Sequence, residues 1–357
     1  MDIKKIFLCA AFLLLCRTVS AQFASSKIDA WLSANAGEMG GRVVLMVWQN
    51  GHVVYTHSVN DMNRRQKFVD KMIARRQGKT AGLGDFTTTS RVPVASCSKW
   101  YSAALVMTFV DEGKLKLTDS VGEYLPVLTQ HGKGNITISE CLSHLTGIKA
   151  PDLKESIEDM RTAASMDDAI LTIANLPAEG PPGKTFHYSN VGLQIAGAVL
   201  EKISGKSFET LFAERIAKPL DMKNTDFGKG KVALPAGGAY STPEDYLGFL
   251  AMILNKGVFN NKRILSESSI AQMQVNRCIA DVKIAYAPAE AGRFGYGYGE
   301  WVMDGKAVTS PGLFGSFPWI NNEKKYAAFM MTYYLKSAGR HERYVELKRL
   351  VDDAVGK

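Results

Sequence analysis

Ser96-Cys97-Ser98-Lys99 opens a run that continues through Trp100 to Glu112 and stops at Gly113. Leu105, Val106, Phe109 and Val110 fall on one apolar side, so the spacing predicts a helix from Ser96 to Glu112. Residues three apart on a helix share a face, which brings the amine of Lys99 towards the hydroxyl of Ser96. The free amides of the first turn then point at charge developing on a bound carbonyl oxygen. A serine hydroxyl is a weak nucleophile until a base takes its proton, and a lysine is such a base only when burial or nearby charge lowers its pKa. The spacing alone is also what an N-cap serine followed by a surface lysine would give. Two facts raise it above that background. Ser96 is the only serine here with lysine at the third following position, and Tyr188-Ser189-Asn190 is the only tyrosine-x-asparagine.

Outward from this pair, further motifs follow in order. They are Ile136-Thr137-Ile138, His144-Leu145-Thr146-Gly147, the run Pro182 to Asn190, Pro219-Leu220-Asp221-Met222 and Gly237-Gly238, then Ser241 to Asp245 and Tyr296-Gly297-Tyr298-Gly299. Taken together they resemble the serine hydrolases related to class C β-lactamases, penicillin-binding proteins and their esterase and peptidase cousins. The resemblance covers most of the chain. It implies Ser96 as nucleophile, Lys99 as its base, Tyr188 as the group relaying a proton to the leaving group, and Asn190 as a contact to substrate. A phenol near pKa 10 fills that role only if a cation such as Lys99 favours its phenolate. For Asn190 a plain helix cap remains an alternative.

The resemblance also leads us to expect a strand bearing lysine or histidine, one further residue, and glycine. The best match is Ser310-Pro311-Gly312, where the cation is missing. Gly312 would let substrate lie close to the strand, and the amide of Leu313 would join that of Ser96 as an oxyanion donor. The resemblance implies Ser310 as a substrate contact that can donate or accept a hydrogen bond but holds no charge for a substrate carboxylate. That departure tilts the expectation from penicillins to small esters, amides or peptide fragments. His144 and His187 are expected to be structural, and Cys97 to be a packed side chain rather than a reactive thiol.

For the fold, the resemblance implies an α/β, β-lactamase/transpeptidase-like architecture, an antiparallel sheet flanked by helices with an inserted mainly helical part. Residues 22–95 and 236–357 would form the α/β part and residues 96–235 the helical one. The residues themselves agree. Arg42 to Gln49 and His52 to Ser58 are rich in valine and aromatics, and Asn50-Gly51 between them suits a type I′ hairpin. Strand character returns in Tyr298 to Met303, Phe314 to Ile320 and Tyr326 to Tyr334, before a last helix from His341 to Val355. Asn190 to Ser204 reads as a helix that Gly205 ends. Strands at both ends with helices between suggest one sheet built from distant segments.

Lys4 and Lys5 precede the apolar run Ile6 to Leu15, which ends at Val19-Ser20-Ala21. That is the pattern of a secretory signal over residues 1–21, too short to span a bilayer, so the expectation is an exported chain, periplasmic or secreted, without an integral membrane span. The net charge of +8 is concentrated. Between Asn63 and Ala81 lie Arg64, Arg65, Lys67, Lys71, Arg75, Arg76 and Lys79 against Asp70 alone. Phe68 with Met72, and Val69 with Ile73, recur there at helical spacing. The expected arrangement is a solvated helix laid over the core by this stripe. The alternative is weak contact with an anionic surface through Arg64, Arg65, Arg75 and Arg76. Nothing resembles a nucleic-acid-binding motif. The cysteines and scattered histidines lack the spacing of zinc ligands, and no metal or cofactor is expected. Efficient turnover has one rival, a non-turnover sensor of the same fold that captures a penicillin or cell-wall fragment.

Overall fold

A computed structural model describes residues 23–76, 78, 80–303 and 306–355; the signal assigned to residues 1–21 lies outside them. Asn50 and Gly51 both take positive φ, 53° and 87°, as a type I′ turn requires. They close a hairpin between β1 (Arg42–Gln49) and β2 (His52–Asn60). Five strands from the other end of the chain complete the sheet: β3 (Gly295–Tyr296), β4 (Trp301–Val302), β5 (Ala307–Thr309), β6 (Phe317–Asn321) and β7 (Tyr326–Thr332). The spatial order is β2-β1-β7-β6-β5-β4-β3, antiparallel throughout. The first and last thirds of the chain meet where β1 pairs with β7, Val44 facing Met331 and Met46 facing Phe329.

Six helices position the site: α1 (Ser26–Asn35), α2 (Arg64–Arg76), α3 (Ser98–Asp111), α4 (Val191–Ser204), α5 (Pro243–Leu254) and α6 (Arg340–Val355). Side chains on a strand alternate between faces, and both faces here are covered. Val43, Leu45, Val47, Ala328 and Met330 pack in one core with residues of α1 and α6, including Leu32 and Leu347. Val44, Met46, Ala327, Phe329 and Met331 pack in the other, which α3, α4 and α5 share. That two-sided burial is why β1 and β7 read as nearly continuous apolar runs.

Three sequence expectations need correction. First, α3 starts at Ser98, and Ser96 sits before it in a 3-10 turn, Ala95–Cys97. The helix is not amphipathic either; every residue from Ser98 to Phe109 is buried, because it runs through the middle of the molecule. Second, the strand expected over Tyr298 to Met303 is reduced to β4, Trp301–Val302. Gly299, at φ 72°, turns the chain between β3 and β4. The strand expected from Phe314 begins only at Phe317, since Gly312 and Ser316 close a turn through the bond from the Gly312 amide to the Ser316 carbonyl, 2.9 Å. Third, α2 does not lie on the core by its apolar stripe. No side chain of α2 is buried. Its polar side faces the body instead, with Gln66 donating to the Gly37 carbonyl at 2.8 Å and Asp70 paired to Arg42 at 2.7 Å.

Candidate active site

The turn that carries Ser96 is held from three directions. Ser98 Oγ donates to the Ala95 carbonyl at 2.6 Å and accepts from the Ala239 amide at 2.9 Å, and the Val94 amide donates to the Ala239 carbonyl. On the sheet side, Tyr246 of α5 stacks on Phe329 of β7 with centroids 4.6 Å apart, and its hydroxyl donates to the Cys97 carbonyl at 2.9 Å. Ser310, just past β5, donates to the carbonyls of Ser96 (3.2 Å) and Gly299 (3.1 Å). The turn is thus tied both to the sheet and to the 235–239 segment. Ala95 itself sits at φ 47°, a conformation that costs an L-residue free energy and is retained only where surroundings enforce it.

Lys99, one turn into the helical run, is buried with its Nζ 3.2 Å from Ser96 Oγ. The same nitrogen lies 2.8 Å from the Ala236 carbonyl and 3.4 Å from Asn190 Oδ1. A neutral amine has two N–H bonds and one lone pair. Here the two carbonyl oxygens account for the N–H bonds, and the lone pair is left for the Ser96 hydroxyl. When protonated, the nitrogen can donate to all three. Burial draws the Lys99 pKa down to about 7, with no carboxylate beside it to oppose the shift.

The Tyr188 ring lies 4.7 Å from Lys99 Nζ, and Tyr188 and Ser96 line the same cavity. Burial raises the Tyr188 pKa, and interaction with Ser96 offsets only part of the rise. Burial thus moves the two groups in opposite senses, the lysine down and the phenol up. Trp301 of β4 stacks on the Tyr188 ring at 5.1 Å, and His144 packs against it at 4.7 Å. His144 is buried and bonds through Nε2 to Tyr296 OH at 3.0 Å; burial first, and Lys99 after it, lower its pKa well below the usual imidazole range. It positions the tyrosine.

Asn190 occupies the N-cap of α4 without capping it; its Oδ1 faces Lys99 and its Nδ2 donates to Ser156 Oγ at 3.2 Å. Ser96, Lys99, Tyr188, Asn190 and Leu313 line one cavity of about 750 Å³. Ser310 is buried and absent from that lining, its hydroxyl engaged with the two carbonyls. Gly312 is needed for a reason other than the one expected. A Cβ there would come 2.3 Å from the Val94 carbonyl and 3.1 Å from Cys97 Sγ, so the missing side chain lets this segment press against the nucleophile turn. Among the described residues, neither the Ser96 nor the Leu313 amide donates to another group, and both residues border the cavity. Two unused N–H donors beside a nucleophile are what an oxyanion requires. Cys97 is enclosed, and burial pushes its thiol pKa up.

Sequence reasoning missed several contributors. The Ala236 carbonyl has no side-chain signature, although the neighbouring Gly237-Gly238 marked the segment. Glu179 pairs with His187 at 2.6 Å on the cavity wall, and Tyr286 packs on the same imidazole with ring centroids 5.5 Å apart.

The profile of the Beta-lactamase family matches residues 36–352. Protein Rv1367c of Mycobacterium tuberculosis is 25% identical over 344 residues, covering 80% of this chain and 81% of that one. Among solved structures, a candidate β-lactamase from Bacteroides dorei is similar at 26% identity with a TM-score of 0.76, over 94% of this chain and 100% of that one. A family VIII carboxylesterase, 19% identical, shares the fold with a TM-score of 0.71, over 92% of this chain and 97% of its own. The sheet order, the helices around it and a profile match running from just after α1 into α6 agree: the chain belongs to the β-lactamase family of hydrolases, with the β-lactamase/transpeptidase-like fold.

Proposed function

We propose that this protein is an exported serine hydrolase that cleaves small esters or amides through an acyl-enzyme on Ser96. One observation carries the reading: Lys99 Nζ stands 3.2 Å from Ser96 Oγ in surroundings that bring its pKa to about 7. Neutral Lys99 takes the Ser96 proton as Oγ attacks the carbonyl carbon. The negative charge passes to the carbonyl oxygen, which the Ser96 and Leu313 amides receive. Tyr188 gives its proton to the departing oxygen or nitrogen and is reprotonated by the neighbouring Lys99 ammonium, which holds the proton taken from Ser96. Water then repeats the attack on the ester carbon, and Ser96 leaves with its proton restored.

The substrate class rests on what surrounds Ser96. No lysine or histidine stands at position 310, and the cavity walls near Tyr188 are aromatic, through Trp301 and Tyr286. Those features favour an uncharged acyl group over a penicillin carboxylate. A carboxylesterase of the same fold supports that choice. Export rests on the sequence pattern of residues 1–21.

A fluorophosphonate probe should label the wild-type protein and leave Ser96→Ala unlabelled. The same substitution should lower p-nitrophenyl ester turnover by about 10⁴-fold or more without loss of fold. Normal turnover by a folded Ser96→Ala protein would refute the assignment. Labelling without turnover would favour a sensor of the same fold, and rapid nitrocefin hydrolysis would overturn the choice of substrate class.

A further inference from the structure

Helix α2 is bound to the rest of the molecule the wrong way round for a water-soluble surface helix. At 100° per residue, Phe68 and Met72 fall on the side opposite Asp70. It is the Asp70 side that the body holds, through Arg42 and through the bond from Gln66 to the Gly37 carbonyl. Phe68 is consequently 66% exposed and Met72 38%. Val69 and Ile73 stay partly open beside them, lining a groove shared with Leu335, itself 65% exposed. Leu335 also borders the cavity that holds Ser96, so the groove beside α2 adjoins that cavity.

The charges are arranged around the same face. Arg64, Lys71 and Arg75 flank the Phe68–Met72 ridge on one side, and Arg65 and Arg76 on the other, by the same angular count. The helix has one acidic residue, Asp70, and Arg42 already pairs with it. An exposed apolar ridge bordered on both flanks by cations matches a surface with anionic headgroups above and acyl chains beneath. It does not match water, which rewards only the charges, nor a second copy of the same face, whose cations would repel its own.

We propose that α2 is a docking surface for an anionic phospholipid bilayer, with Phe68 and Met72 entering the acyl region and the flanking arginines bound to lipid phosphates. Docked in this way, the chain presents the mouth of the Ser96 cavity, at Leu335, towards the membrane.

The test reads the position of residue 68 in the full-length chain, so that attachment by any other segment is not mistaken for docking through α2. A Phe68→Trp protein is mixed with vesicles of phosphatidylcholine alone or phosphatidylcholine with phosphatidylglycerol, each containing brominated acyl chains. Emission gained over the parent protein should be quenched by the anionic vesicles, little by the neutral ones, and less as salt rises. Phe68→Ser with Met72→Ser should weaken partitioning to anionic vesicles by roughly tenfold, and Arg75→Gln with Arg76→Gln should weaken it without altering neutral-vesicle binding. Ester turnover without vesicles reports that these variants are folded. Absence of quenching at residue 68, equal quenching by neutral vesicles, or unchanged partitioning of the double serine variant would overturn the proposal. So would a concentration-dependent dimer, seen by light scattering without lipid, that the double serine variant abolishes.

Discussion

The Ala236 carbonyl oxygen lies 2.8 Å from Lys99 Nζ, on a segment more than 130 residues away in sequence. It is a backbone acceptor and therefore cannot ionise. It steadies the amine in either protonation state, whereas a carboxylate in the same place would hold the lysine charged and end its use as a base. The fold supplies polarity at this point without charge, and that is what leaves burial free to set the lysine near neutrality.

The pH dependence follows with a definite sign. The reactive form of Lys99 is the neutral one, so kcat/KM for a p-nitrophenyl ester should rise as pH increases through about 7 and then level off. Stopped-flow acylation rates from pH 5.5 to 9 would show it. A rate still climbing tenfold per pH unit above pH 8.5 would mean that Lys99 stays charged well above pH 7 in the free enzyme, and that burial does not prepare it as a base near neutrality.

Tyr188 should matter in proportion to the leaving group. p-Nitrophenolate departs without a proton, so Tyr188→Phe should lower its release only modestly, by about tenfold or less. Alkyl alcohols and amines need the proton, and for these the same substitution should cost about 10²–10⁴-fold in kcat. Equal losses across a leaving-group series would assign Tyr188 a role in packing alone, against Trp301 and His144.

How much of this could be read beforehand depended on whether a feature lies in side-chain chemistry or in backbone placement. Ser96, Lys99 and Tyr188 were legible because their spacing and rarity are properties of the string. The β1–β2 hairpin was legible because Asn50-Gly51 suits few other conformations. The Ala236 carbonyl was invisible, as any residue offers one. The true start of α3 was missed because a 3-10 turn and an α-helix ask nearly the same of residues 96 and 97. Ser310 was assigned to the substrate because a strand position does not say which neighbour its hydroxyl meets. The outward turn of α2 escaped because periodicity identifies an apolar stripe without saying what will cover it.

Glu300 carries a further test. It is 0% exposed and neither carboxylate oxygen has a hydrogen-bond partner among the described residues. Burial raises its pKa well above the ordinary value, with Arg277 opposing only in part. An acid whose pKa is higher folded than unfolded favours folding most below its unfolded value, about 4.3, and that contribution is lost as pH rises through the folded value. Glu300→Gln keeps the shape and cannot ionise. Its stability relative to wild type should therefore improve steadily from pH 4.5 to 8, as read from urea midpoints. A constant difference across that range would show that the carboxylate is already compensated when charged.

Gly312→Ala asks whether the close approach of the 310–313 segment to the nucleophile turn is part of the chemistry. The added Cβ would meet the Val94 carbonyl at 2.3 Å, and backbone on both sides leaves no flexible side chain to yield. The 310–313 segment must move away from Val94 and Cys97, carrying the Leu313 amide with it. Overpacking of this kind costs about 1–3 kcal/mol in stability, while a shift near 1 Å in an oxyanion donor costs about 10²-fold in rate. The expected pattern is a protein still folded at 25 °C, with kcat reduced by about that factor and KM little changed. If Leu313 plays no part in receiving the oxyanion, the variant should lose stability while its kcat stays near that of wild type; thermal melts and steady-state rates on one preparation distinguish the two outcomes.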